Sequence, residues 1–333
     1  MQSVKEAAVS GKRVIVRCDF DDPIIDGKLT DDTRIKSNLP TLKLLLDRNA
    51  SLFLVSKLGR PQGKDPSLSM KVVLDTISKY LDEEVTFKQD LKKEQLGRVT
   101  LLENLRFWPE EEKGDLAFSK KIALFGDLYV NECFATSHRN DASFIGIPKF
   151  LPGFAGLNLE KEVLELTKVL ESPARPLVAI IGGAKLETKL PAIYNLAKVA
   201  DKVLVGGKLM FEVERRSLPE NVVVAHDDNE TKDIGEKTAT LFGDIIQRAA
   251  MIVWNGPMGV FEEEKYTFGT KAVAKAVVGS NAYSVVGGGD TISALNKFEL
   301  LDKMSFVSTG GGAMLEFLAG KKLPGLGALG YYD

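Results

Sequence analysis

The chain has 333 residues, of which 44% are hydrophobic and 27% charged, and its 44 Lys and Arg residues nearly balance 46 Asp and Glu residues. This length predicts two domains of roughly 150 residues each. The balanced charge excludes a strong field for holding nucleic acid or an acidic membrane surface, and it gives no indication of obligate assembly, so we expect a monomer. The start lacks a signal-peptide core and no run of about 18 apolar residues occurs, so we expect a cytoplasmic protein without a membrane segment.

Short apolar, β-branched runs alternate with helix-length amphipathic segments from one end of the chain to the other. Continuous apolar strands separated by helices are typical of parallel sheets that are buried on both faces, which predicts an α/β fold. In such sheets ligands bind at the carboxyl ends of the strands. The predicted strands are Arg13–Arg17, Ser51–Val55, Val99–Leu102, Leu177–Ile181, Lys202–Val205, Asn221–Val224, Met251–Trp254, Tyr283–Val286 and Ser305–Ser308.

One long helical pattern between Phe150 and Pro176 interrupts this alternation and predicts a connector between two sheets. Glu162 and Glu165 lie opposite its apolar stripe, which predicts a helix that packs on one side only. The stripe consists of Leu159, Val163, Leu166 and Leu170.

Arginines stand at strand ends or in loops throughout the first half of the chain. Guanidinium groups present a rigid fork of donors that pairs with carboxylate and phosphate, so several at one sheet edge would suit a small polyanion. Each one alone is more often a surface ion pair. The five arginines are Arg17, Arg34, Arg60, Arg106 and Arg139.

The second half offers glycine-rich turns after strands, with lysines close by. Backbone amides in such turns and at helix N-termini can cradle phosphate oxygens. Lys185 and Lys189 lie four residues apart after Gly182-Gly183, which places them on one helix face beside that turn. Asp290 follows three glycines, where it could be a magnesium ligand or a helix N-cap.

The first half of the chain presents arginines and the second half presents glycine turns with lysines, which suggests two ligands that must meet. This arrangement favours phosphoryl transfer across a closing cleft. That chemistry depends on positioning and charge neutralisation, and needs no protein nucleophile. A dinucleotide oxidoreductase is disfavoured, because no glycine fingerprint opens a βα unit with an acidic residue about 20 positions later. A nucleotide-binding regulatory or scaffolding protein that has lost transfer stays open as an alternative.

The motifs, taken in order, resemble those of the phosphoglycerate kinase family over essentially the whole chain. Each motif alone is weak, and their order makes the set specific. The matching segments are Asp19-Phe20 with Pro23, 30–34, Leu58-Gly59-Arg60-Pro61, 102–107, Gly182-Gly183-Ala184-Lys185, 254–262, Gly287-Gly288-Gly289-Asp290 and Ser308-Thr309-Gly310-Gly311-Gly312.

The resemblance implies two Rossmann-like lobes, each a parallel sheet with helices on both faces, joined by a long interdomain helix. It places a phosphoglycerate-binding lobe at 1–155, the helix at 156–172, a nucleotide-binding lobe at 173–318, and a tail at 319–333 that returns to the first lobe. It also implies reversible transfer between 1,3-bisphosphoglycerate and ADP, giving 3-phosphoglycerate and ATP, with Mg²⁺ and closure of a hinge.

The resemblance also assigns roles to individual residues. The phosphoglycerate side would comprise Asp19, Asp21, Arg34, Lys57, Arg60, Arg106 and Arg139. The nucleotide side would comprise Gly183, Ala184, Lys185, Lys189, Gly206, Gly207, Asn255, Pro257, Glu262, Gly288, Gly289, Asp290 and Thr291. The catalytic group would be Arg34, Lys189, Gly288 and Gly311, with Gly312 as a further amide donor and Asp290 as the metal ligand.

The chain departs from the family pattern at several positions on the phosphoglycerate side. Asp21 and Asp22 stand where Asn and Val are usual, and Lys57 and Asp141 stand where His is common. We expect Asp21 to face an anionic substrate, with Lys57 offsetting its charge. These changes keep an inactive or altered-specificity nucleotide-binding paralogue as the alternative. The region 208–232 is also short for the family, which predicts a partly missing wall over the adenine and looser base discrimination.

Overall fold

The computed structural model describes residues 1–213 and 216–333. The chain divides into two compact units, residues 1–162 with 322–333, and residues 163–321. Each unit has its own sheet and its own apolar core. Among the described residues, no helix is both long and apolar enough to cross a lipid bilayer.

The first unit, all of which lies in the described part of the chain, contains a six-stranded parallel sheet in the order β5-β6-β4-β1-β7-β8. Its strands are β1 (Arg13–Arg17), β4 (Ser51–Val55), β5 (Val85–Lys88), β6 (Val99–Leu102), β7 (Leu128–Asn131) and β8 (Gly153–Ala155), and a small hairpin is formed by β2 (Ile24–Ile25) and β3 (Lys28–Leu29). The helices are α1 (Thr33–Asp47), α2 (Lys71–Leu81), α3 (Pro109–Glu112), α4 (Leu116–Ala123) and α5 (Ala142–Ile145), and α6 (Leu157–Glu171) begins in this unit and continues into the second.

The described part of the second unit contains a second six-stranded parallel sheet in the order β11-β10-β9-β14-β15-β16. Its strands are β9 (Leu177–Ile181), β10 (Lys202–Val205), β11 (Val222–Val224), β14 (Met251–Asn255), β15 (Tyr283–Gly287) and β16 (Phe306–Ser308), with a short antiparallel pair formed by β12 (Asp228–Asn229) and β13 (Asp233–Ile234). The helices are α7 (Leu186–Leu196), α8 (Leu209–Val213), α9 (Glu236–Ile246), α10 (Phe268–Gly279), α11 (Gly289–Lys297) and α12 (Gly311–Leu318), and α13 (Pro324–Gly327) belongs to the first unit.

Apolar strands at the centre of each sheet confirm the α/β fold predicted from the sequence. Val14, Ile15 and Val16 of β1 are completely buried, as is every residue of β9 to within 1%. β-Branched side chains pack well on a pleated surface, and a strand covered on both faces needs apolar residues at every position. The loops that carry the predicted site residues therefore leave each sheet at the carboxyl ends of rigid, buried strands.

The helix predicted between Phe150 and Pro176 is present, but the expectation that it packs on one side only is wrong. α6 spans Leu157–Glu171, and the stripe residues Leu159, Val163 and Leu166 are buried. Glu162 and Glu165, expected on an open face, are also buried, at 1% and 8% exposure. Glu165 accepts hydrogen bonds from Tyr283 at 2.9 Å and from Lys168 at 2.8 Å, so polar partners allow a carboxylate to lie inside.

Candidate active site

The predicted phosphoglycerate-side residues lie in loops that leave four neighbouring strands of the first sheet. β6, β4, β1 and β7 are adjacent, and their carboxyl ends share one edge because all of their pairings are parallel. Asp19 and Asp21 follow β1, Lys57 and Arg60 follow β4, Arg106 follows β6, Arg139 follows β7, and Arg34 lies in the first turn of α1.

Arg34 is held against the loop after β1 at both its head group and its backbone. Its Nη1 donates to Asp19 Oδ2 at 2.7 Å, and its carbonyl oxygen accepts from the side-chain amide of Asn38 at 2.7 Å. Asn38 in turn bonds the backbone of Asp19 in both directions, at 3.0 and 3.1 Å. Burial lowers the pKa of Arg34, but attraction to Asp19 and Asp21 outweighs it and raises the pKa overall. The guanidinium is therefore a fixed cation.

Lys57 and Asp21 form the exchanged pair expected from the sequence. Lys57 Nζ donates to Asp21 Oδ2, and the other carboxylate oxygen accepts the Gly59 amide at 2.7 Å. Lys57 is 8% exposed, so its charge would be costly without this partner. Both oxygens of Asp21 are thus engaged with the chain itself, which differs from the expectation that Asp21 faces the substrate directly.

Arg106 and Arg139 both lie near Glu112, a residue that the sequence analysis did not single out. Arg106 donates through Nη2 to Asp141 Oδ2 at 2.7 Å, and its Nη1 lies 2.6 Å from Glu112 Oε1. Glu112 Oε1 is also 4.0 Å from Arg139 Nη1. Glu112 lies in α3, where a run of three glutamates looks like a solvated helix start. Arg60 is exposed.

Two residues of this half lie elsewhere than the sequence suggested. Arg17 is completely buried, donating to Ser143 Oγ at 2.8 Å and to the Cys18 carbonyl at 2.6 Å, with its guanidinium over the Phe144 ring. Arg17 therefore packs in the interior of the unit and does not lie with the predicted phosphoglycerate-side arginines. Asp22, read as a change on the substrate side, instead accepts backbone amides at the start of α1.

In the second unit the predicted glycine turns pack directly against one another. Gly256 has φ +103°, and a Cβ there would lie 2.1 Å from the carbonyl oxygen of Gly182, so only glycine allows the loops after β9 and β14 to approach this closely. Gly183 donates its amide to the Pro257 carbonyl at 2.8 Å, and Leu209, after the Gly206-Gly207 turn of β10, donates to the Gly183 carbonyl at 3.2 Å. The turns after β9, β10 and β14 therefore form one continuous backbone surface.

The turns after β15 and β16 join in the same way. Gly288 has φ +100°, and a Cβ on Gly311 would meet its Cα at 2.9 Å. Thr291 in the first turn of α11 is completely buried, and its hydroxyl accepts the Gly256 amide at 2.7 Å, which ties this pair to the β14 loop. Gly289 and Gly312 lie in the first turns of α11 and α12.

Three helices at this edge begin without a side-chain cap. α7, α11 and α12 have Lys185, Gly288 and Gly310 at their N-cap positions, and none of these makes a side-chain hydrogen bond to the helix. The first amides of a helix have no partner within it, and the helix dipole adds partial positive charge there. These three termini are suited to an anion.

Lys189 is the one buried cation among the described residues of this unit. It is 8% exposed, and its Nζ donates to the carbonyl oxygens of Gly182 and Asn255, the latter at 3.3 Å. Burial lowers its pKa to about 8; Asp290 opposes this and Lys185 adds to it. The lysine is therefore mostly charged at pH 7 and lies against the glycine turns.

The remaining predicted residues differ in exposure. Asn255 and Pro257 are buried at the end of β14, where they shape the loop. Ala184, Lys185 and Glu262 are exposed. Asp290 is also exposed, in the first turn of α11, and no salt bridge found among the described residues engages it.

Comparison with known proteins decides which family this architecture belongs to. The family model described as phosphoglycerate kinase matches residues 4–216 and 212–321. The chain belongs to the phosphoglycerate kinase family. The phosphoglycerate kinase of Finegoldia magna is 39% identical over 386 residues, covering 98% of each chain, and that of Desulfosudis oleivorans is 40% identical over 390 residues, covering 99% of this chain and 98% of its own.

Solved structures of the phosphoglycerate kinase family have the same fold. The structure from Coxiella burnetii is 34% identical with a TM-score of 0.87, covering 98% of both chains. That from Pyrococcus horikoshii OT3 is 30% identical with a TM-score of 0.85, covering 99% of both. The likeness therefore extends over both units.

The chain is short for the family, and the match indicates where. The alignment with the Finegoldia magna relative runs over 386 residues, more than the 333 of this chain, so it includes gaps in this chain. The two stretches that match the family model meet at residues 212–216. This junction lies inside the region 208–232 that the sequence marked as shortened. Residues 214 and 215 of that region lie outside the described residues.

Proposed function

We propose that the chain is an active phosphoglycerate kinase, which transfers a phosphoryl group reversibly between 1,3-bisphosphoglycerate and ADP to give 3-phosphoglycerate and ATP. The observation that carries the proposal is that α7, α11 and α12 all begin uncapped at one edge of the second sheet. Uncapped helix N-termini beside a buried lysine form a phosphate-binding surface. A protein that only bound the nucleotide would have no need of Arg34, which Asp19 holds as a fixed cation at the edge of the first sheet.

The acceptor acid would bind at the edge of the first sheet. Arg34, Arg60 and Arg139 each expose part of their side chains at this edge. Arg34 would brace the transferred phosphoryl group, because its charge is fixed before the reaction begins. Asp19 holds Arg34, while Arg106, Lys57 and Asp21 have partners within the chain.

The nucleotide would bind at the edge of the second sheet. Lys189, with Lys185 beside it, would neutralise the phosphates, and the amides around Gly183, Ala184, Gly288, Gly289, Gly311 and Gly312 would donate to them. Glu262, which is exposed, would accept the ribose hydroxyls. The turns around Gly206, Gly207, Asn255 and Pro257 would form the floor, and Thr291 would keep its role in tying that floor together.

Asp290 suits a magnesium ion that is held mainly through nucleotide phosphates. Its carboxylate is exposed and lies near enough to Lys189 to raise that lysine's pKa. Mg²⁺ prefers one or two carboxylates together with phosphate oxygens, and when bound it neutralises charge that develops on the phosphates.

We further propose a monomeric, cytoplasmic enzyme with small-molecule substrates and no nucleic-acid or membrane partner, in keeping with its balanced charge. The division into a phosphoglycerate-binding lobe at 1–155, an interdomain helix at 156–172, a nucleotide-binding lobe at 173–318 and a returning tail at 319–333 stays a prediction. Because each ligand is assigned to a different segment, transfer requires closure of a hinge.

A coupled assay with 3-phosphoglycerate, ATP and magnesium tests the proposal on the parent chain, Arg34→Ala and Lys189→Ala. We expect each variant to lose turnover by on the order of a hundredfold or more. Calorimetry with each ligand alone should show weaker 3-phosphoglycerate binding only in Arg34→Ala and weaker nucleotide binding only in Lys189→Ala.

Arg48→Ala and Lys198→Ala are matched controls, because these exposed residues lie just beyond the far ends of α1 and α7. Both should keep parental turnover. A parent chain without turnover, or both ligands weakened by the same single substitution, would contradict the proposal.

A further inference from the structure

The first turn of α1 takes its cap from Asp22, a residue eleven positions before the first residue of the helix. Asp22 accepts the Arg34 amide through Oδ1 and the Ile35 amide through Oδ2, each at 2.9 Å. Asp31 Oδ1 accepts the Thr33 amide at 2.8 Å. The first three amides of the helix, which have no partner within it, are therefore all satisfied by side chains.

The residue at the N-cap position does not supply this cap. The Asp32 side chain makes no capping hydrogen bond to a backbone amide of the helix. Its carboxylate instead accepts the Tyr80 hydroxyl and pairs with Lys36 at 2.8 Å. Asp22 thus does for α1 what the N-cap residue would ordinarily do.

Asp22 is built into the fold for this task. It is 3% exposed, and burial raises its pKa to about 6, although the bonds from the Arg34 and Ile35 amides oppose that rise. The carboxyl is thus ionised at neutral pH, and a negative charge at a helix N-terminus is favourable. Valine, usual at this position of the family pattern, could accept neither amide.

The capped turn is the one that carries Arg34. Asp19, three residues before Asp22 in the same loop, holds the guanidinium group at 2.7 Å. One loop therefore fixes Arg34 at its head group through Asp19 and at its backbone through Asp22. Release of the backbone would allow the guanidinium to shift even with Asp19 in place, and a displacement of about 1 Å can cost a hundredfold in rate.

We propose that Asp22 is a positioning residue for catalysis, which fixes the first turn of α1 so that Arg34 stays aimed at the acceptor site. The inference rests on the proposed function, since Arg34 is the residue assigned there to brace the transferred phosphoryl group. Asp22 itself need not touch either substrate.

Kinetics of Asp22→Ala and Asp22→Asn, each made in the parent and in Arg34→Ala, test the inference. Alanine removes both acceptors, and we expect kcat to fall roughly tenfold with little change in the KM for ATP. Asparagine keeps one acceptor oxygen, so Asp22→Asn should reduce kcat less than Asp22→Ala does. In the Arg34→Ala background neither substitution should reduce kcat further, because its effect passes through the arginine.

Asp115→Ala is the matched control for a loss of stability alone. Asp115 caps α4 in the same unit by accepting the Phe118 amide at 2.7 Å. We expect it to lower Tm about as much as Asp22→Ala while leaving kcat at the parental value. Parental kcat in Asp22→Ala, or losses that simply add to those of Arg34→Ala, would overturn the inference.

Hydrogen exchange separates this inference from the proposed function. A parent chain without turnover would contradict the proposed function. The positioning role of Asp22 could still be tested in that chain, through the exchange rates of the Arg34 and Ile35 amides. These amides should exchange faster in Asp22→Ala, and its crystal structure should show the Arg34 guanidinium displaced from Asp19. Unchanged exchange and an unchanged 2.7 Å contact would overturn the positioning role in either case.

Discussion

Arg106 has two carboxylate partners within the chain itself. Asp141 and Glu112 lie 2.7 and 2.6 Å from its guanidinium nitrogens, and the Arg106 and Asp141 side chains are only 4% and 5% exposed. An anionic substrate must therefore compete with internal carboxylates for this cation. The common family residue at position 141, histidine, would compete less.

We predict that Asp141→Asn lowers the KM for 3-phosphoglycerate by roughly threefold to tenfold, because one competing charge is removed. Loss of a buried partner should also lower Tm. Steady-state kinetics and a thermal melt measure both effects. Asp201→Asn, which removes the acid of an exposed pair with Arg175, is the control and should leave KM unchanged. A higher KM in Asp141→Asn would show instead that Asp141 orients Arg106.

The Lys57–Asp21 ion pair predicts strong coupling between two positions that depart from the family pattern. Asp21→Asn leaves Lys57 as a buried cation without its carboxylate, and Lys57→His leaves Asp21 with only the Gly59 amide. We expect each single change to reduce kcat/KM more than the double change does. The cycle should give a coupling free energy of about 0.5–3 kcal/mol. Purely additive effects would show that the contact has no functional role.

At the scale of the element, α6 is held at its start by a buried carboxylate. Glu132, directly after β7, accepts the Asn158 amide through both oxygens, at 3.1 and 3.3 Å, and the Thr41 hydroxyl at 2.7 Å. Burial raises its pKa to about 8, with these hydrogen bonds opposing the shift. The folded chain thus keeps a proton on Glu132 at pH values where the unfolded chain has lost it.

This raised pKa predicts that Glu132 destabilises the fold as pH rises from about 4.5 to about 8, since the folded state binds more protons in that window. Glu132→Gln cannot ionise and keeps an acceptor oxygen. We expect the variant to match the parent near pH 5 and to be more stable than it at pH 9, measured by urea unfolding. Glu6→Gln, at an exposed position, is the control. Equal stabilities at pH 9 would show that the carboxyl ionises without cost.

The strands that the sequence predicted are those formed by continuous apolar or β-branched runs. All nine predicted strands are present, and each of them is an apolar or β-branched run in the sequence. The strands β5 and β8 were missed because polar or small residues such as Thr86 and Gly153 leave them without a continuous apolar run. Strand β7 was also missed, because its short apolar run ends in Asn131 and Glu132.

The positions of the candidate site residues were predictable where a residue directly follows a strand. The glycine turns and the lysines of the second unit are of this kind. The pairing of charges was not predictable, because Asp22 reaches α1 and Asp141 reaches Arg106 only after the chain has folded. Arg17 looked like its neighbours in sequence, yet it points into the interior.

At the scale of the whole molecule, the chain is shorter than its relatives in a part that borders the proposed nucleotide site. After the Gly206-Gly207 turn, α8 is described over Leu209–Val213, and β11 forms the edge of the second sheet. A cavity of about 730 Å³ lies among residues of α8, of β11 and of the chain up to Asp228. This side of the proposed nucleotide site has less chain to enclose a base than a longer relative would have.

We therefore predict weak discrimination between nucleotide bases, with a kcat/KM for GTP within about tenfold of that for ATP. A pocket rejects a wrong base mainly by leaving buried polar groups unpaired, and an open wall buries fewer of them. Competition between the two nucleotides at fixed 3-phosphoglycerate measures the ratio. The longer enzyme of Finegoldia magna, assayed alongside, is the comparison and should discriminate more strongly. A preference of this chain for ATP of about a hundredfold or more would show that the described loops enclose the base without the missing segment.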